Sequence, residues 1–336
     1  MARALSETEL LALVDALAPG GWLSGETLAA NAGVTRAALA KRIAHLRAWG
    51  LALETRPGLG YRLAQPLERL DGAALQRALA PAVRARLRRL EVVARTDSTN
   101  LRLLEADPGN DPQALFAEAQ TAGRGRRGRA WTSPFGANLY FSLAWTFPAW
   151  PPALSALSLA VGIACARGLR ALGADELMLK WPNDLRLGAR KLGGVLIEQR
   201  GEAGGPCRVV VGVGLNVAMS AEQAAAIDQP WTALDPELAA RGRTPPLRNA
   251  LAAALLDALA TALAEFEEHG FAPFLADWSR FDATADQPVR IESADGGFEG
   301  IARGIDEAGA LVVEAQGRRH HLHSGEVSLR IGGSGA

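Results

Sequence analysis

The feature that most constrains this chain is a seven-residue segment, residues 123–129, whose sequence GRGRRGR combines four arginines with three glycines. Glycine lets a backbone adopt φ > 0 and approach a ligand closely, and each guanidinium presents a planar fork of donors that matches carboxylate or phosphate oxygens. Apolar and polar residues alternate over residues 115–120, and a second strand-like run follows at 138–145. The sequence therefore predicts a loop that joins two strands and binds more than one anionic group. A basic solvated loop or an RNA-binding RGG tract is the alternative that this segment alone leaves open.

Composition limits the class of protein. The chain has 336 residues, 49% of them hydrophobic and 21% charged, which is typical of a folded soluble protein with two or three domains. Its 36 basic and 36 acidic residues cancel, so any contact with nucleic acid has to come from a local patch. The two cysteines, Cys165 and Cys207, are too few for a disulfide framework. Since we find no long uncharged apolar run and no basic, apolar leader, we expect a cytoplasmic protein with no membrane segment.

The first 65 residues have the pattern of a winged helix-turn-helix. Ser6 starts a capping box, and Pro-Gly-Gly at residues 19–21 ends the helix that follows. A short second helix follows Ser24, and Thr35 caps a third helix whose apolar residues repeat at helical spacing. Two strand-like runs around Pro-Gly-Leu-Gly at residues 57–60 then predict a hairpin, which would be the wing.

The charge of this region favours DNA as its partner. Residues 35–62 contain six basic residues and one acidic residue. In a winged helix the first turns of the third helix reach base edges, and arginines bind phosphates. Lys41 and His45 lie opposite the apolar face of the third helix, and Arg42 lies on its flank. The residues expected to contact DNA are Thr35, Arg36, Lys41, Arg42, His45 and Arg56. A small module for contacts with other proteins is the alternative.

Three more motifs follow in the rest of the chain: DSTN at residues 97–100, KWPND at 180–184 and KLGGVLIE at 191–198. Serine and threonine hydroxyls both donate and accept hydrogen bonds, although Ser98 could instead simply cap a helix. In this order and spacing, and together with the arginine segment, these motifs resemble the biotin protein ligases. The resemblance covers nearly all of residues 5–331. With the N-terminal pattern, the chain resembles the bifunctional bacterial form, which also represses the biotin operon.

The resemblance implies which residues bind biotin. Ser98 and Thr99 match the family's pair that hydrogen-bonds the ureido ring of biotin, and Gln120 matches a further ureido ligand. Lys191 would lay its ammonium against a carboxylate as the central catalytic cation, with Arg126 as the second catalytic residue. The full expected biotin set is Ser98, Thr99, Asn100, Gln120, Arg124, Arg126 and Lys191.

The resemblance also implies an adjoining site for ATP and the adenylate. Asn183 and Asp184 would face the ribose and the phosphates, and Asp184 would bind Mg²⁺ through water. A plain Asn-Asp turn is the alternative for this pair. Trp231 would pack over an adenine or over the core. The sequence GLNV at residues 214–217 resembles the family's glycine-asparagine turn near the adenylate phosphate, and irregular strand backbone is the alternative for Gly212 and Gly214. The full expected adenylate set is Arg126, Arg129, Trp131, Asn183, Asp184 and Asn216.

The expected fold is α+β with three domains. Residues 1–65 would form the winged helix-turn-helix DNA-binding domain, residues 66–281 a mixed-sheet catalytic domain of the biotin/lipoate ligase type, and residues 282–331 an SH3-like small β-barrel. Long apolar helices are expected at 154–172 and 247–269, and short strands with glycine turns from residue 287 onward. The histidines near residue 321 lack the spacing of a zinc site, so we expect no metal there.

The implied activity is ATP-dependent biotin ligation. Biotin would join the α-phosphate of ATP, with Mg²⁺ on the phosphates, to give biotinyl-5′-AMP. Biotin would then pass to a lysine of the biotin carboxyl carrier protein of acetyl-CoA carboxylase. As corepressor, the adenylate would promote a homodimer that binds biotin operator DNA. Three alternatives stay open: a lipoate-type adenylating ligase, a monofunctional biotin ligase with a vestigial DNA-binding domain, and a transcription factor that binds biotin without catalysis.

Overall fold

The N-terminal region has the predicted three helices and hairpin. The computed structural model describes residues 6–201, 205–293, 296–323 and 328–331. In chain order the first elements are α1 (Glu7–Leu17), α2 (Gly25–Asn31), α3 (Arg36–Ala48), β1 (Leu53–Arg56) and β2 (Gly60–Leu63). Ser6, Ser24 and Thr35 cap the three helices, each accepting from the backbone N–H three residues further on. Leucine, isoleucine and valine side chains from the three helices form a small core that extends to Ala94, Ala119 and Phe135 of the central domain.

The middle of the chain forms a seven-stranded mixed sheet. Its strands are β3 (Arg89–Thr96), β4 (Gln113–Gln120), β5 (Leu139–Phe147), β6 (Leu177–Lys180), β7 (Asp184–Leu187), β8 (Arg190–Arg200) and β9 (Cys207–Leu215). Their spatial order is β3-β4-β5-β9-β8-β7-β6. The β3 and β4 strands are parallel, and every other neighbouring pair is antiparallel. The central strands β5 and β9 are buried along almost their whole length, which explains their nearly continuous apolar sequences.

Helices cover both faces of this sheet. They are α4 (Gly72–Ala78), α5 (Pro81–Arg86), α6 (Thr99–Glu105), α7 (Leu157–Ala171), α8 (Leu234–Ala240), α9 (Arg248–His269) and α10 (Leu275–Phe281). The α7 and α9 helices pack with Phe116 and Leu143 on one face. The α6 helix packs with Leu115 and Ala144, the next residues along the same strands, and so covers the opposite face.

The two long apolar helices belong to the core. The predicted helix at 154–172 begins with a 3₁₀ turn, Leu154–Ala156, and α9 ends at Gly270, whose φ is 64°. Their length and hydropathy would also suit a membrane span, but 61% and 56% of the two segments are buried against the protein. Such burial is typical of core helices in soluble proteins.

The C-terminal region forms a five-stranded antiparallel sheet. Its strands are β10 (Pro288–Ser293), β11 (Gly296–Ile305), β12 (Leu311–Ala315), β13 (Arg318–Leu322) and β14 (Ser328–Ile331). Their order is β13-β12-β11-β10-β14, so within the described ranges the edge strands β13 and β14 do not pair with each other. Trp181 joins this sheet to the central one by donating from Nε1 to the carbonyl of Gly309 at 3.2 Å.

The winged helix also packs directly on the central domain. Trp49, at the end of α3, stacks on Phe135 with 5.4 Å between ring centroids. The Gln223 amide donates to the carbonyl of Gly50 at 2.9 Å. The end of the third helix therefore lies beside the segment that follows the arginine loop.

Candidate active site

The face of the sheet that carries α6 also carries the candidate active site. Lys180, Asp184, Gly194 and Gly214 are partners in successive strand pairings, so they form one row across β6, β7, β8 and β9. A Cβ atom at Gly214 would lie 2.5 Å from the indole of Trp131. Glycine is therefore needed there because the indole lies directly on the strand.

Gly212 has a similar role in the next row of the sheet. A Cβ atom there would lie 2.2 Å from Oδ1 of Asn100. The two glycines thus admit side chains from α6 and from the end of the arginine segment. This packing, and not irregular strand backbone, accounts for both of them.

Lys191 and Asp184 form an ion pair at the centre of this face. The Lys191 ammonium lies 2.6 Å from Oδ1 of Asp184, and both side chains are less than one-fifth exposed. The same ammonium lies 5.4 Å from the centroid of the Trp131 ring, within range of a cation–π contact. Asp184 uses one of the three N–H donors of this ammonium, which leaves the others available to a substrate carboxylate.

Arg126 reaches the same cluster from the arginine segment. Its Nη1 lies 3.4 Å from Oδ1 of Asn183, whose amide donates to the carbonyl of Val195 at 2.7 Å. Burial lowers the pKa of the Arg126 guanidinium, and the nearby Arg127 adds to the lowering, whereas Asp184 opposes it. The cation is thus partly desolvated and surrounded by more positive than negative charge, which favours binding of an anion.

Lys180 is a member of this cluster that the sequence-based site sets omitted. Burial lowers the pKa of its ammonium, while Asp184 opposes the shift and Arg186, Lys191 and Arg129 add to it. Among the described residues its ammonium has no hydrogen-bond or ion-pair partner. Composition could have indicated it, because Lys41, Lys180 and Lys191 are the three lysines among 36 basic residues. Two of the three lie in this cluster. A lysine ammonium is a compact point charge, whereas the guanidinium of arginine is a planar fork of donors, so the two are not interchangeable there.

Thr99 and Gln120 form a polar floor beside the charged cluster. The Thr99 N–H donates to Oε1 of Gln120 at 2.9 Å, and the Thr99 hydroxyl lies 3.2 Å from the same oxygen. The Gln120 amide donates to the hydroxyl of Ser133 at 3.2 Å. Ser98 caps α6 by accepting from Leu101 at 3.4 Å, and it is buried. The structure therefore brings the three predicted ureido ligands together, with donors and acceptors of both kinds.

Two other predicted biotin ligands have side chains engaged within the protein. The Asn100 amide donates to the carbonyl of Leu196 at 3.2 Å and to Glu198 at 3.0 Å, and it is 3% exposed. Arg124 lies with one guanidinium nitrogen 2.9 and 3.0 Å from the two carboxylate oxygens of Glu198. Their polar side-chain atoms are therefore already hydrogen-bonded within the protein, and their contact with biotin stays a prediction.

The arginine segment forms a small hairpin. Arg124 and Ala130 form an isolated antiparallel bridge, and the Gly125 N–H donates to the carbonyl of Arg129 at 2.7 Å. Arg127, at the tip, adopts a left-handed conformation with φ of 56°. Its arginines therefore differ in environment: Arg124 is ion-paired, Arg126 is half-buried, and Arg127 and Arg129 are exposed.

The remaining predicted adenylate ligands lie close to the cluster. The Trp131 Nε1 atom is buried without a hydrogen-bond partner in the described part of the chain. Asn216 is 4% exposed and donates to the carbonyl of Thr232 at 3.1 Å, which leaves little of its surface for a ligand. Trp231 packs against a small cluster that contains Met219, and it pairs with Lys191 in an isolated bridge.

Of the six residues expected to contact DNA, five are exposed and one is buried. Thr35, Arg36, Lys41, His45 and Arg56 are all exposed on α3 and the wing. Arg42 is instead 7% exposed, and its guanidinium lies 2.9 Å from Glu9 of α1. Its place on the flank of α3 turns it toward α1, so it stabilises the helix pair and does not face phosphate.

No cluster of three or more His, Cys, Asp or Glu side chains suited to a metal occurs within the described ranges. Asp184 is the carboxylate nearest the cationic groups. Magnesium commonly binds one or two carboxylates, phosphate oxygens and several waters. The donor set therefore fits a Mg²⁺ ion that arrives with a nucleotide, and does not form a complete protein cage.

Comparison with known families identifies three regions of the chain. Residues 92–216 match the "Biotin/lipoate A/B protein ligase family", residues 284–330 the "Biotin protein ligase C terminal domain", and residues 10–62 an "HTH domain". A solved biotin protein ligase from Aquifex aeolicus, in complex with biotin and ATP, aligns with a TM-score of 0.60 at 28% identity. The alignment covers 72% of this chain and 99% of that one.

Curated relatives match almost the full length. The bifunctional ligase/repressor BirA of Salmonella typhimurium is 42% identical over 95% of this chain and 97% of its own. The Escherichia coli protein of the same name is 41% identical over the same shares. The biotin--[acetyl-CoA-carboxylase] ligase of Paracoccus denitrificans is 35% identical over 70% of this chain and 98% of its own. The chain, with its winged helix, ligase sheet and C-terminal domain, therefore belongs to the family of bifunctional biotin ligase/repressors.

Proposed function

We propose that this protein activates biotin with ATP to form biotinyl-5′-AMP, transfers biotin to a lysine of the biotin carboxyl carrier protein of acetyl-CoA carboxylase, and represses the biotin operon. The main support for the proposal is that two groups of side chains with different chemistry lie side by side. Thr99 and Gln120 provide paired donors and acceptors for an uncharged polar ring. Beside them, Lys180, Lys191, Arg126 and Arg129 surround the single carboxylate of Asp184. A carboxylic acid that carries an uncharged polar ring would match the first group, and a nucleoside triphosphate would match the cationic group.

In the first step, an oxygen of the biotin carboxylate attacks the α-phosphorus of ATP. The bond from that phosphorus to the bridging oxygen of the β-phosphate breaks, and pyrophosphate leaves. Negative charge builds up on the equatorial oxygens, where fixed cations in a partly desolvated site are most effective. We assign this role to Lys191, Lys180 and Arg126, with Arg129 at the rim.

Lys191 has a further task before that step. Its ammonium lies 2.6 Å from Asp184, so biotin carboxylate would share or compete for this cation. Once released, Asp184 would bind Mg²⁺ through water, and the ion would neutralise phosphate charge. The indole of Trp131 lies on Gly194 and Gly214, and its buried N–H is available to a new acceptor. We therefore place the nucleotide against Trp131, Asn183 and Asp184.

In the second step, the amine of a carrier lysine attacks the acyl carbon of the adenylate. The acyl–phosphate bond breaks, AMP leaves, and the amine loses a proton as the amide forms. The arginine segment would cover the adenylate and exclude water during this interval. Transfer of labelled biotin to a purified carrier domain tests this step. Absence of transfer under conditions where the operator is bound would favour a transcription factor that binds biotin without catalysis.

The winged helix supports the repressor part of the proposal. Lys41, His45 and Arg56 project from α3 and the wing, while the chain as a whole has no net charge. One such module gives weak, salt-sensitive binding, and symmetric dimers gain specificity by presenting two recognition helices to two half-sites. We propose that the adenylate acts as corepressor by promoting a homodimer through the central domain. We also propose that unbiotinylated carrier competes by consuming the adenylate.

The experiment for this part is operator titration with sedimentation, with and without biotin plus ATP. Tighter operator binding and self-association in the presence of both substrates would support the proposal. Equal binding and equal self-association in both conditions would leave a monofunctional ligase with a vestigial N-terminal domain.

The proposal extends to the domain organisation and the location of the protein. We propose boundaries at residues 1–65, 66–281 and 282–331, with the C-terminal sheet curling as an SH3-like barrel. The apolar cluster of the winged helix is distinct from the main core of the central sheet, which favours the first boundary, although it continues onto Ala94, Ala119 and Phe135 of the central domain. A reducing cytoplasm would suit the buried free thiols Cys165 and Cys207. Expression of residues 66–336 should retain part of the ligase activity and lose operator binding.

A further inference from the structure

A continuous hydrogen-bond network connects the arginine segment to the polar floor. Arg124 binds Glu198 of β8 at 2.9 Å, and Glu198 accepts from the Asn100 amide at 3.0 Å. Ser142 of β5 donates to Oδ1 of Asn100 at 2.6 Å and lies 2.7 Å from the Thr99 hydroxyl. Thr99 then contacts Gln120, whose amide donates to Ser133. Ser133 donates to the Trp131 carbonyl at 3.0 Å, which returns the network to the end of the arginine segment.

Glu198 is the only carboxylate among the residues named in this network, and it contacts both the arginine segment and α6. One of its partners, Arg124, belongs to the hairpin that would cover the ligand. The other, Asn100, is fixed in α6 and fills the space above Gly212. Asn100 also donates to the carbonyl of Leu196, so the same side chain is tied to β8 twice. Through these contacts Glu198 fixes the positions of both Arg124, at the base of the hairpin, and Asn100, at the start of α6.

The charge of Glu198 also changes the role of Arg124. Because both carboxylate oxygens lie within 3.0 Å of one guanidinium nitrogen, the positive charge of Arg124 is already compensated. Arg126, two residues later, contacts the Asn183 amide and lies close to other cations. Of these two arginines, Arg126 has the uncompensated charge suited to a phosphate, and Arg124 has the contact suited to holding the backbone.

We propose that Glu198 is a positioning residue for the ligand site: through Arg124 and Asn100 it holds the arginine segment closed against the floor formed by Thr99 and Gln120. The inference rests on the proposed function for the identity of the ligand, biotin, but the closure itself concerns the protein alone. An isolated exposed ion pair contributes little, yet a pair within a connected network restricts several groups together. Loss of Glu198 should therefore loosen the segment without unfolding the sheet.

The first test measures closure with no ligand present. Full-length protein is digested with a limiting amount of an arginine-specific protease, and cleavage at Arg124, Arg126, Arg127 and Arg129 is timed by mass spectrometry. Glu198→Gln, which keeps the shape but removes the charge, should be cut in this segment about tenfold faster than the wild type. Cleavage after Arg56 in the wing serves as the internal reference and should keep its rate.

The second test measures ligand binding and turnover. Titration calorimetry should show biotin binding weakened about tenfold in Glu198→Gln, while kcat of ATP–pyrophosphate exchange at saturating biotin stays within about twofold. Arg124→Gln removes the same contact from the exposed side and should speed cutting after Arg126, Arg127 and Arg129 to the same extent. The double variant should be no worse than either single variant, because both act through one contact.

Glu91→Gln is the matched control. Glu91 lies on strand β3, is 28% exposed compared with 26% for Glu198, and is also paired with arginine side chains. It should leave protease cutting, biotin affinity and exchange unchanged.

Unchanged cutting of the segment and unchanged biotin affinity in both Glu198→Gln and Arg124→Gln would overturn the proposal. Faster cutting throughout the chain would also overturn it, since that result means general destabilisation. A third outcome separates closure from the identity of the ligand. If Glu198→Gln is cut faster only in the segment but the wild type shows no biotin-dependent exchange, the role of Glu198 in closure stands and biotin is refuted as the ligand.

Discussion

Lys191 and Asp184 lie on adjacent strands with their charged atoms 2.6 Å apart, in a site that otherwise contains cations. The carboxylate thus occupies the position that a substrate carboxylate would take on the ammonium. A substrate carboxylate on this ammonium would lie close to Asp184, and the repulsion between the two anions would weaken the Lys191–Asp184 pair.

Replacement of Lys191 should stop activation of the acid without unfolding the protein. Lys191→Ala removes the cation closest to the reacting carboxylate, and we expect biotin-dependent ATP–pyrophosphate exchange to fall about a hundredfold. Thermal melting and exchange rates are to be measured together. Arg190→Ala is the control, because Arg190 is the preceding residue and pairs with Glu237 at 2.6 Å away from the cluster. Wild-type exchange in Lys191→Ala would refute its assigned role.

Lys180 should affect ATP rather than biotin. Its ammonium forms no ion pair among the described residues, and burial lowers its pKa although the nearby Asp184 opposes the shift, so binding of a phosphate would relieve an existing cost. Lys180→Met keeps the apolar stem, and we expect KM for ATP to rise about tenfold with biotin affinity unchanged. Because an unpaired buried charge is removed, the melting temperature should stay level or rise. An unchanged KM for ATP would exclude this lysine from the nucleotide site.

Asp235, at the start of α8, should make stability depend on pH. Its Oδ1 is buried without a hydrogen-bond partner in the described structure, and burial raises its pKa to about 6. A carboxyl whose pKa is higher in the folded than in the unfolded protein contributes stability at low pH, and this contribution is lost as pH rises from about 4 through about 6. Asp235→Asn should therefore be more stable than the wild type at pH 7 by about 1–2 kcal/mol, after allowance for solvent screening.

Denaturation by urea between pH 4 and pH 8 measures this difference. The exposed Asp228→Asn is the control and should follow the wild-type curve. Equal stability of Asp235→Asn and wild type across the range would contradict the prediction that the charged form of Asp235 destabilises the folded protein.

Lys41 and Arg42, adjacent on α3, should have opposite effects on DNA binding and stability. Lys41→Ala removes an exposed cation, so operator affinity should fall, and the slope of log affinity against log salt should decrease by about 0.9 in magnitude for each lost phosphate contact. Arg42→Ala removes the buried partner of Glu9 and should lower the stability of the winged helix by about 1–3 kcal/mol. Salt-dependent operator titration and thermal melting separate the two. Equal melting of the variants would contradict the buried role of Arg42.

The order of the elements could be predicted from sequence because its signals are local. Capping residues, glycine turns and apolar spacing predicted α1, α3, the wing and the long α9 helix close to their observed bounds. Strand β7 and helix α8 were not predicted from the sequence. Strand β7 has only four residues, in which polar and apolar side chains alternate, and α8 is a short alanine-containing segment, so both give weak local signals. Domain boundaries stay predictions.

Side-chain partners were less predictable because they depend on distant elements. Arg42 was predicted to face DNA, but a residue 33 positions earlier in the chain covers it. Glu198 was part of a recognised motif, yet its contact with Arg124 spans 74 positions. Lys180 could have been found from composition alone, since lysine is so rare in this chain.

Biotin-dependent exchange of labelled pyrophosphate into ATP is the most direct measurement of the central claim, that this site activates biotin as an adenylate. The full-length protein is assayed with biotin, with lipoate and with neither acid, in the presence of Mg²⁺ and ATP. We predict exchange with biotin, background exchange with lipoate, and loss of the biotin-dependent rate in Lys191→Ala. Exchange with lipoate and not with biotin, or no exchange with either acid, would contradict the claim.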